Sequence, residues 1–183
     1  MKYQNILQHS EEDCGAACLA TIAKHYRHTF TLNRIREAVG TGQLGTTLLG
    51  LRRGAEALGF NAKGVRATPQ LIERLHEAPL PAIIHWKGYH WVVLYGRRGR
   101  KYVVADPAVG IRYIPKKELI EGWPNGVMLC PYHRLISNLN FLTEEGLTIV
   151  KKCWFPEASL VPSPPSHLCS VNRTIKLQFV LSV

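Results

Sequence analysis

No run of about 18 apolar residues, the minimum for a membrane-spanning helix, occurs in this 183-residue sequence. A span within the chain is therefore not expected. Residues 1–26 contain Glu11, Glu12 and Asp13 and no uninterrupted apolar stretch, so a secretory signal is not expected either, and the cytosol is the default compartment. Cysteine is scarce and odd in number, five in all at positions 14, 18, 130, 153 and 169. Irregular spacing argues against a disulfide framework, leaving free thiols as the expected state. Acidic residues are outnumbered 13 to 23 by Lys plus Arg, an excess that can favour nucleic acid, anionic lipid or acidic peptides. Its carriers (Arg34/Arg36, Arg52/Arg53, Arg97/Arg98/Arg100/Lys101) are scattered and lack interleaved aromatics. A solvated surface is the expected reading, with no nucleic-acid partner.

With 46% hydrophobic residues the chain can bury one sizeable core, giving one domain plus appendages. Small and apolar residues from Cys14 to Tyr26 recur at helical spacing, predicting a buried helix that begins at or near Cys14. Thr31 is the predicted cap of a short helix ending at Gly40, and Thr46 that of another, Leu48 to Leu58, closed by Gly59. Phe60 to Arg66 reads as a strand, and Thr68-Pro69 as the start of a helix running to about His76. Beyond Pro81 the pattern changes to short runs rich in β-branched and aromatic residues, namely 82–86, 90–95, 101–105 and 111–114. A helical turn over 116–121 and a last strand over 126–130 complete an α+β class with an antiparallel sheet. Residues 131–183, interrupted by Pro156, Pro162, Pro164 and Pro165, read as an extension or linker.

The segment Gln8-His-Ser-Glu-Glu-Asp-Cys14-Gly15 carries the first chemical signal. Unpaired N–H groups and the macrodipole at a helix start favour an anion, so a thiol there is activated as a nucleophile. The same amides can bind an oxyanion, and an upstream side-chain amide such as Gln8 can supply a second donor. Inert packing is the competing reading of any cysteine among small residues, and Cys18, one turn on, is its better candidate. The second signal comes from hairpin arithmetic. A turn Gly96-Arg-Arg-Gly99 centred on Arg98 would oppose Val93 to Val103 and His90 to Asp106, bringing imidazole and carboxylate into contact. Pro107 biases Asp106 toward extended backbone.

A helix-start cysteine and a base oriented by a third group form the arrangement of nucleophilic cysteine catalysis. Gln8-x5-Cys14-Gly15, Gly45-Thr46-Thr47-Leu48-Leu49-Gly50-Leu51 with Ala57-Leu58-Gly59-Phe60, Tyr89-His90-Trp91-Val92-Val93-Leu94-Tyr95 and Ala105-Asp106-Pro107 resemble the bacteriocin-processing, double-glycine leader peptidase family over residues 1–130. The resemblance implies a papain-like cysteine peptidase fold, Cys14 as nucleophile, His90 as base and then acid, Asp106 as orienter and Gln8 in the oxyanion hole. It also implies cleavage of a leader peptide after Gly-Gly or Gly-Ala, an amphipathic leader helix docking on an apolar patch, and an ABC transporter partner at the inner face of the plasma membrane. No Gly-x4-Gly-Lys-Ser/Thr loop follows residue 130. The expectation is a standalone peptidase or a transporter fragment, neither of which exports by itself.

Two alternatives belong to other classes: a non-catalytic module that only captures leader peptides, and a Cys-His-Asp acyltransferase. A zinc site built from Cys14/Cys18 and His85/His90 lacks suitable ligand spacing, so no metal or cofactor is expected. His9, His25 and His28 are expected at the surface and His76 in a last helical turn, while Trp86, Trp91 and Trp123 are expected in the core or a cleft wall.

Overall fold

The computed structural model describes residues 3–133. The expected extension therefore lies outside the described residues from position 134 onward. Chain order is α1 (Cys14–His25), α2 (Leu32–Val39), α3 (Leu48–Ala57), β1 (Phe60–Arg66), α4 (Pro69–Glu73), β2 (Ala82–Trp86), β3 (His90–Arg98), β4 (Lys101–Asp106), β5 (Gly110–Ile114), α5 (Lys116–Gly122) and β6 (Val127–His133). A 3-10 turn, Glu11–Asp13, leads into α1, and another, Leu75–Glu77, follows α4. The helix expected to run to His76 is thus α4 followed by that 3-10 turn. His76 sits in the last turn and is exposed.

The strands form one antiparallel sheet in the order β1-β6-β2-β3-β4-β5. Both of its faces are covered. Ile83, Trp91, Val93 and Leu129 join α1 to α3 on one side, while Ile84, Val92, Leu94, Val104 and Met128 meet Leu71, Leu119 and Trp123 on the other. Two-sided burial explains why β2 reads Ala-Ile-Ile-His-Trp without alternation, every one of its residues being buried. Trp86, Trp91 and Trp123 are all in the core, as expected.

Helix α1 is buried from Cys14 through Ala23. Its alanines, glycine and cysteines let a helix with no polar face lie flat between α2, α3 and the sheet. Thr31 caps α2 by accepting from the Arg34 N–H, and Gly40 closes it in the left-handed region, φ 65°. The α3 cap departs from expectation. Thr47, whose hydroxyl accepts from the Gly50 N–H, holds that position, whereas Thr46 is buried, its hydroxyl 2.9 Å from that of Thr41. At a Thr-Thr pair the helix register decides which hydroxyl faces the free amides, and periodicity leaves that choice one residue uncertain.

Where α2 crosses α3, a Cβ on Gly54 would stand 2.4 Å from Val39 Cγ1 and 2.9 Å from its Cα. Gly54→Ala gains about 0.8–1 kcal/mol of helix propensity but overpacks the crossing at a cost of about 1–3 kcal/mol. The substitution is expected to lower the melting temperature measured by circular dichroism; a raised one would show that the crossing can open without cost.

Candidate active site

The arrangement begins at the N-terminal end of α1, where Cys14 is the first α-helical residue and is buried. Ser10 through Asp13 prefix the helix with a 3-10 turn holding Glu11, Glu12 and Asp13. Asp13 is wholly buried, and its Oδ1 lies 3.1 Å from Arg36 Nε on α2 without hydrogen-bond geometry at either oxygen. That ion pair offsets a buried charge directly before Cys14 and was not anticipated from sequence. An Arg five places after the Thr31 cap carries no signal of its distant partner.

His90 opens β3 and Asp106 ends β4. His90 Nε2 donates to Asp106 Oδ1 at 2.9 Å, and the same oxygen accepts from the Ala108 N–H at 2.9 Å. The pair forms as expected, but not by the expected register. Val93 faces Ala105 and Leu94 faces Val104, while Gly96 faces Val103 and Arg98 faces Lys101, with a bulge between Leu94 and Gly96. The turn is Gly99-Arg100, centred between those two residues and not on Arg98. Gly96 and Gly99, at φ 114° and 63°, supply the positive φ that the bulge and the turn use. Continuing the 93/105 pairing sets Asp106 against Val92, which makes His90 a diagonal neighbour, still within reach of a long side chain.

Burial opposes charge on His90, yet the Asp106 hydrogen bond, followed by the effect of Cys14, outweighs it and raises the imidazole to about 9. For Asp106 burial again opposes charge, and the bonds from His90 and Ala108 with the nearby Arg112 hold the carboxyl below its ordinary range. Asp106 binding through Nε2 leaves Nδ1 as the ring nitrogen available to the thiol. Gln8 is tied to the same corner because its N–H donates to the Pro107 carbonyl at 2.9 Å, and its Oε1 is buried without a hydrogen-bond partner among the described residues. Asn5 Nδ2 donates to the Asp106 carbonyl at 3.3 Å. The structure thus gathers Asp106, His90 and Gln8, with Cys14 near enough to influence the imidazole.

Cys18 lies in the core, its thiol donating to the Trp91 carbonyl at 3.2 Å. Trp91 Nε1 donates to the Thr46 carbonyl at 2.8 Å. His85 is buried with its ring 4.5 Å from that of Trp91 and its Nδ1 unpartnered among the described residues. His9 is exposed, but the expectation of surface positions fails for His25 and His28, which are half-buried against Tyr26 and Tyr95 and against Phe30 and Phe60. Helix periodicity stops before that contact, which the end of α1 makes with the sheet. Among the described residues no helix is long and apolar enough to cross a membrane.

Residues 2–134 match the model of the Peptidase C39 family. The chain is 38% identical over 130 residues to the lactococcin-G-processing and transport ATP-binding protein of Lactococcus lactis subsp. lactis, covering 69% of this chain and 18% of that protein. It is 35% identical over 127 residues to the colicin V secretion/processing ATP-binding protein of Escherichia coli, covering 65% of this chain and 18% of that one. Among solved structures, a double glycine motif protease from an AMS/PCAT transporter, in complex with the leader peptide, superposes with a TM-score of 0.65 at 33% identity, covering 71% of this chain and 91% of that one. The peptidase domain of Streptococcus ComA, a bi-functional ABC transporter, gives a TM-score of 0.67 at 27% identity, covering 73% of this chain and all of that one. The chain thus spans about a fifth of the length of the curated relatives it matches.

The two shifted groups act on stability with opposite signs. His90 is raised to about 9, so its contribution is complete below the unfolded value of about 6.5 and is lost as pH rises through the folded value. Asp106 is lowered, so its contribution is present above the unfolded value of about 3.9 and is lost as pH falls through the folded value. Asp106→Asn is expected to bring the His90 midpoint down by about one unit or more, read from imidazole proton shifts in an NMR titration. An unmoved midpoint would show that the carboxylate is not what holds the proton.

Proposed function

The chain belongs to the Peptidase C39 family, and from that premise we propose that it cleaves leader peptides after a Gly-Gly or Gly-Ala pair, with Cys14 as nucleophile. It is a cysteine peptidase domain of α+β, papain-like fold. Residues 1–130, with β6 carried on to His133, form the peptidase unit in this reading. The observation that carries it is the 2.9 Å bond between His90 and Asp106 beside the helix start at Cys14.

The chemistry follows from that arrangement. Cys14 Sγ attacks the scissile carbonyl carbon and gives its proton to His90, whose imidazolium the Asp106 carboxylate stabilises and orients. The Cys14 N–H and the Gln8 amide supply hydrogen bonds to the tetrahedral oxyanion. His90 then protonates the leaving amine, releasing the cargo and leaving a thioester on Cys14. With His90 now acting as base, water attacks that thioester, the C–S bond breaks and the leader departs as a carboxylate. Leu7, Tyr89 and Val109, exposed apolar side chains adjoining Gln8, His90 and the Asp106 turn, suit an amphipathic peptide at the rim.

The proposed partner is the membrane and ATPase portion of an ABC transporter, with the domain at the cytoplasmic face. In support, the relatives are named as transport or secretion and processing ATP-binding proteins and ComA as a bi-functional ABC transporter. The favourable place for catalysis over mere capture is Cys14 itself, which a binding module does not need. Acyl transfer to an added amine is the outcome that product analysis would separate from hydrolysis.

Cys14→Ala is expected to abolish cleavage of a Gly-Gly precursor, a loss of about three orders of magnitude or more, with circular dichroism unchanged. Full activity in that variant would end the reading. Gln8→Ala is expected to reduce kcat by about a hundredfold with little change in KM, measured by mass spectrometry of the released leader.

A further inference from the structure

We propose that Trp91 is a positioning residue of the peptidase reaction: its carbonyl and its indole together hold the strand bearing His90 against the helix bearing Cys14. The inference rests on the reading of Cys14 and His90 as the reacting pair.

Two separate attachments meet in this residue. The Cys18 thiol, one turn along α1 from Cys14, donates to the Trp91 carbonyl at 3.2 Å. The Trp91 indole N–H donates to the Thr46 carbonyl at 2.8 Å. Thr46 in turn presses on α1, since a Cβ on Gly15 would fall 2.9 Å from Thr46 Cβ and 3.2 Å from its hydroxyl. The loop thus closes back onto the helix at the residue after Cys14, just as Trp91 is the residue after His90. Each reacting side chain is one peptide bond from an anchor.

β3 is already fixed within the sheet by β2 and β4; two bonds at different points of Trp91 also set its separation from α1 and its tilt against that helix. Trp91 is buried, as is His85, whose ring lies 4.5 Å from the indole, so neither bond competes with water. Bulk alone would not require the indole nitrogen. A phenylalanine could fill much of the space while leaving the Thr46 carbonyl without this donor.

Positioning of this kind matters because a misplacement of about 1 Å between reacting groups can cost about a hundredfold in rate. The test is Trp91→Phe in the full chain, with two readouts: kcat and KM on a Gly-Gly precursor, and the rate of Cys14 alkylation by iodoacetamide against pH, mapped by mass spectrometry. Expected are a fall in kcat of about tenfold to a hundredfold, KM within about twofold, and slower alkylation of Cys14 on the acid side. Cys18→Ala is expected to reproduce these effects, and Cys18→Ser, which keeps a donor, to recover most of the loss. Parent-like kcat and alkylation in Trp91→Phe overturn the proposal. So does an equal loss in Cys18→Ala and Cys18→Ser, and that pair decides the matter if Trp91→Phe does not fold. A parent chain that alkylates on the acid side but cleaves nothing refutes the peptidase reading alone, and the alkylation comparison still tests Trp91.

Discussion

The burial of α1 against β3 is the contact on which the rest of the molecule depends. Burial from Cys14 through Ala23 is possible only because the helix surface is built from alanine, cysteine, glycine and a few aliphatic side chains. Large residues at Leu19 and Ile22 are fully enclosed, each contributing about 1.5–3 kcal/mol by leaving water, a large share of a net stability of about 5–15 kcal/mol. Since α1 begins with Cys14 and β3 begins with His90, the contact that stabilises the core also brings thiol and imidazole together. Fold and site are therefore not separable.

Charge is arranged with the same economy. Two histidines five positions apart are driven in opposite directions by their surroundings. Burial lowers His85, helped by the charge on His90, while Asp106 and Cys14 overcome burial and raise His90. Protonation is thereby disfavoured at the imidazole in the core and favoured at the one beside Asp106, a division that residue type alone cannot produce. The buried Asp13 and its Arg36 partner hold a further charge pair immediately before the nucleophile position, tying the start of α1 to α2.

Much of this was legible in the residues. The capped ends of α2, the α1 periodicity and the short β-branched runs each reflect interactions within a few positions, so local pattern was sufficient. Where pairing over distance mattered, pattern was less complete. Hairpin arithmetic found the right two partners, His90 and Asp106, through a register that the bulge at Leu94/Gly96 alters. The bond survives because a diagonal neighbour on the same strand face is still within reach of an imidazole. Thr46 read as a cap because it precedes an apolar helix, yet its place is in the packing between Gly15 and Trp91.

What the sequence determined by itself was the class of chemistry: a cysteine at a helix start, a histidine and an aspartate on adjoining strands, and an upstream glutamine, all in motifs short enough to be read in one dimension. Tertiary structure alone decided how those groups are held. The Asp13–Arg36 pair, the half-burial of His25 and His28, and the double attachment through Trp91 join residues whose separations carry no periodic signal. Such contacts are set by how helices and sheet pack in space, and side chains far apart along the chain acquire them only when the core closes.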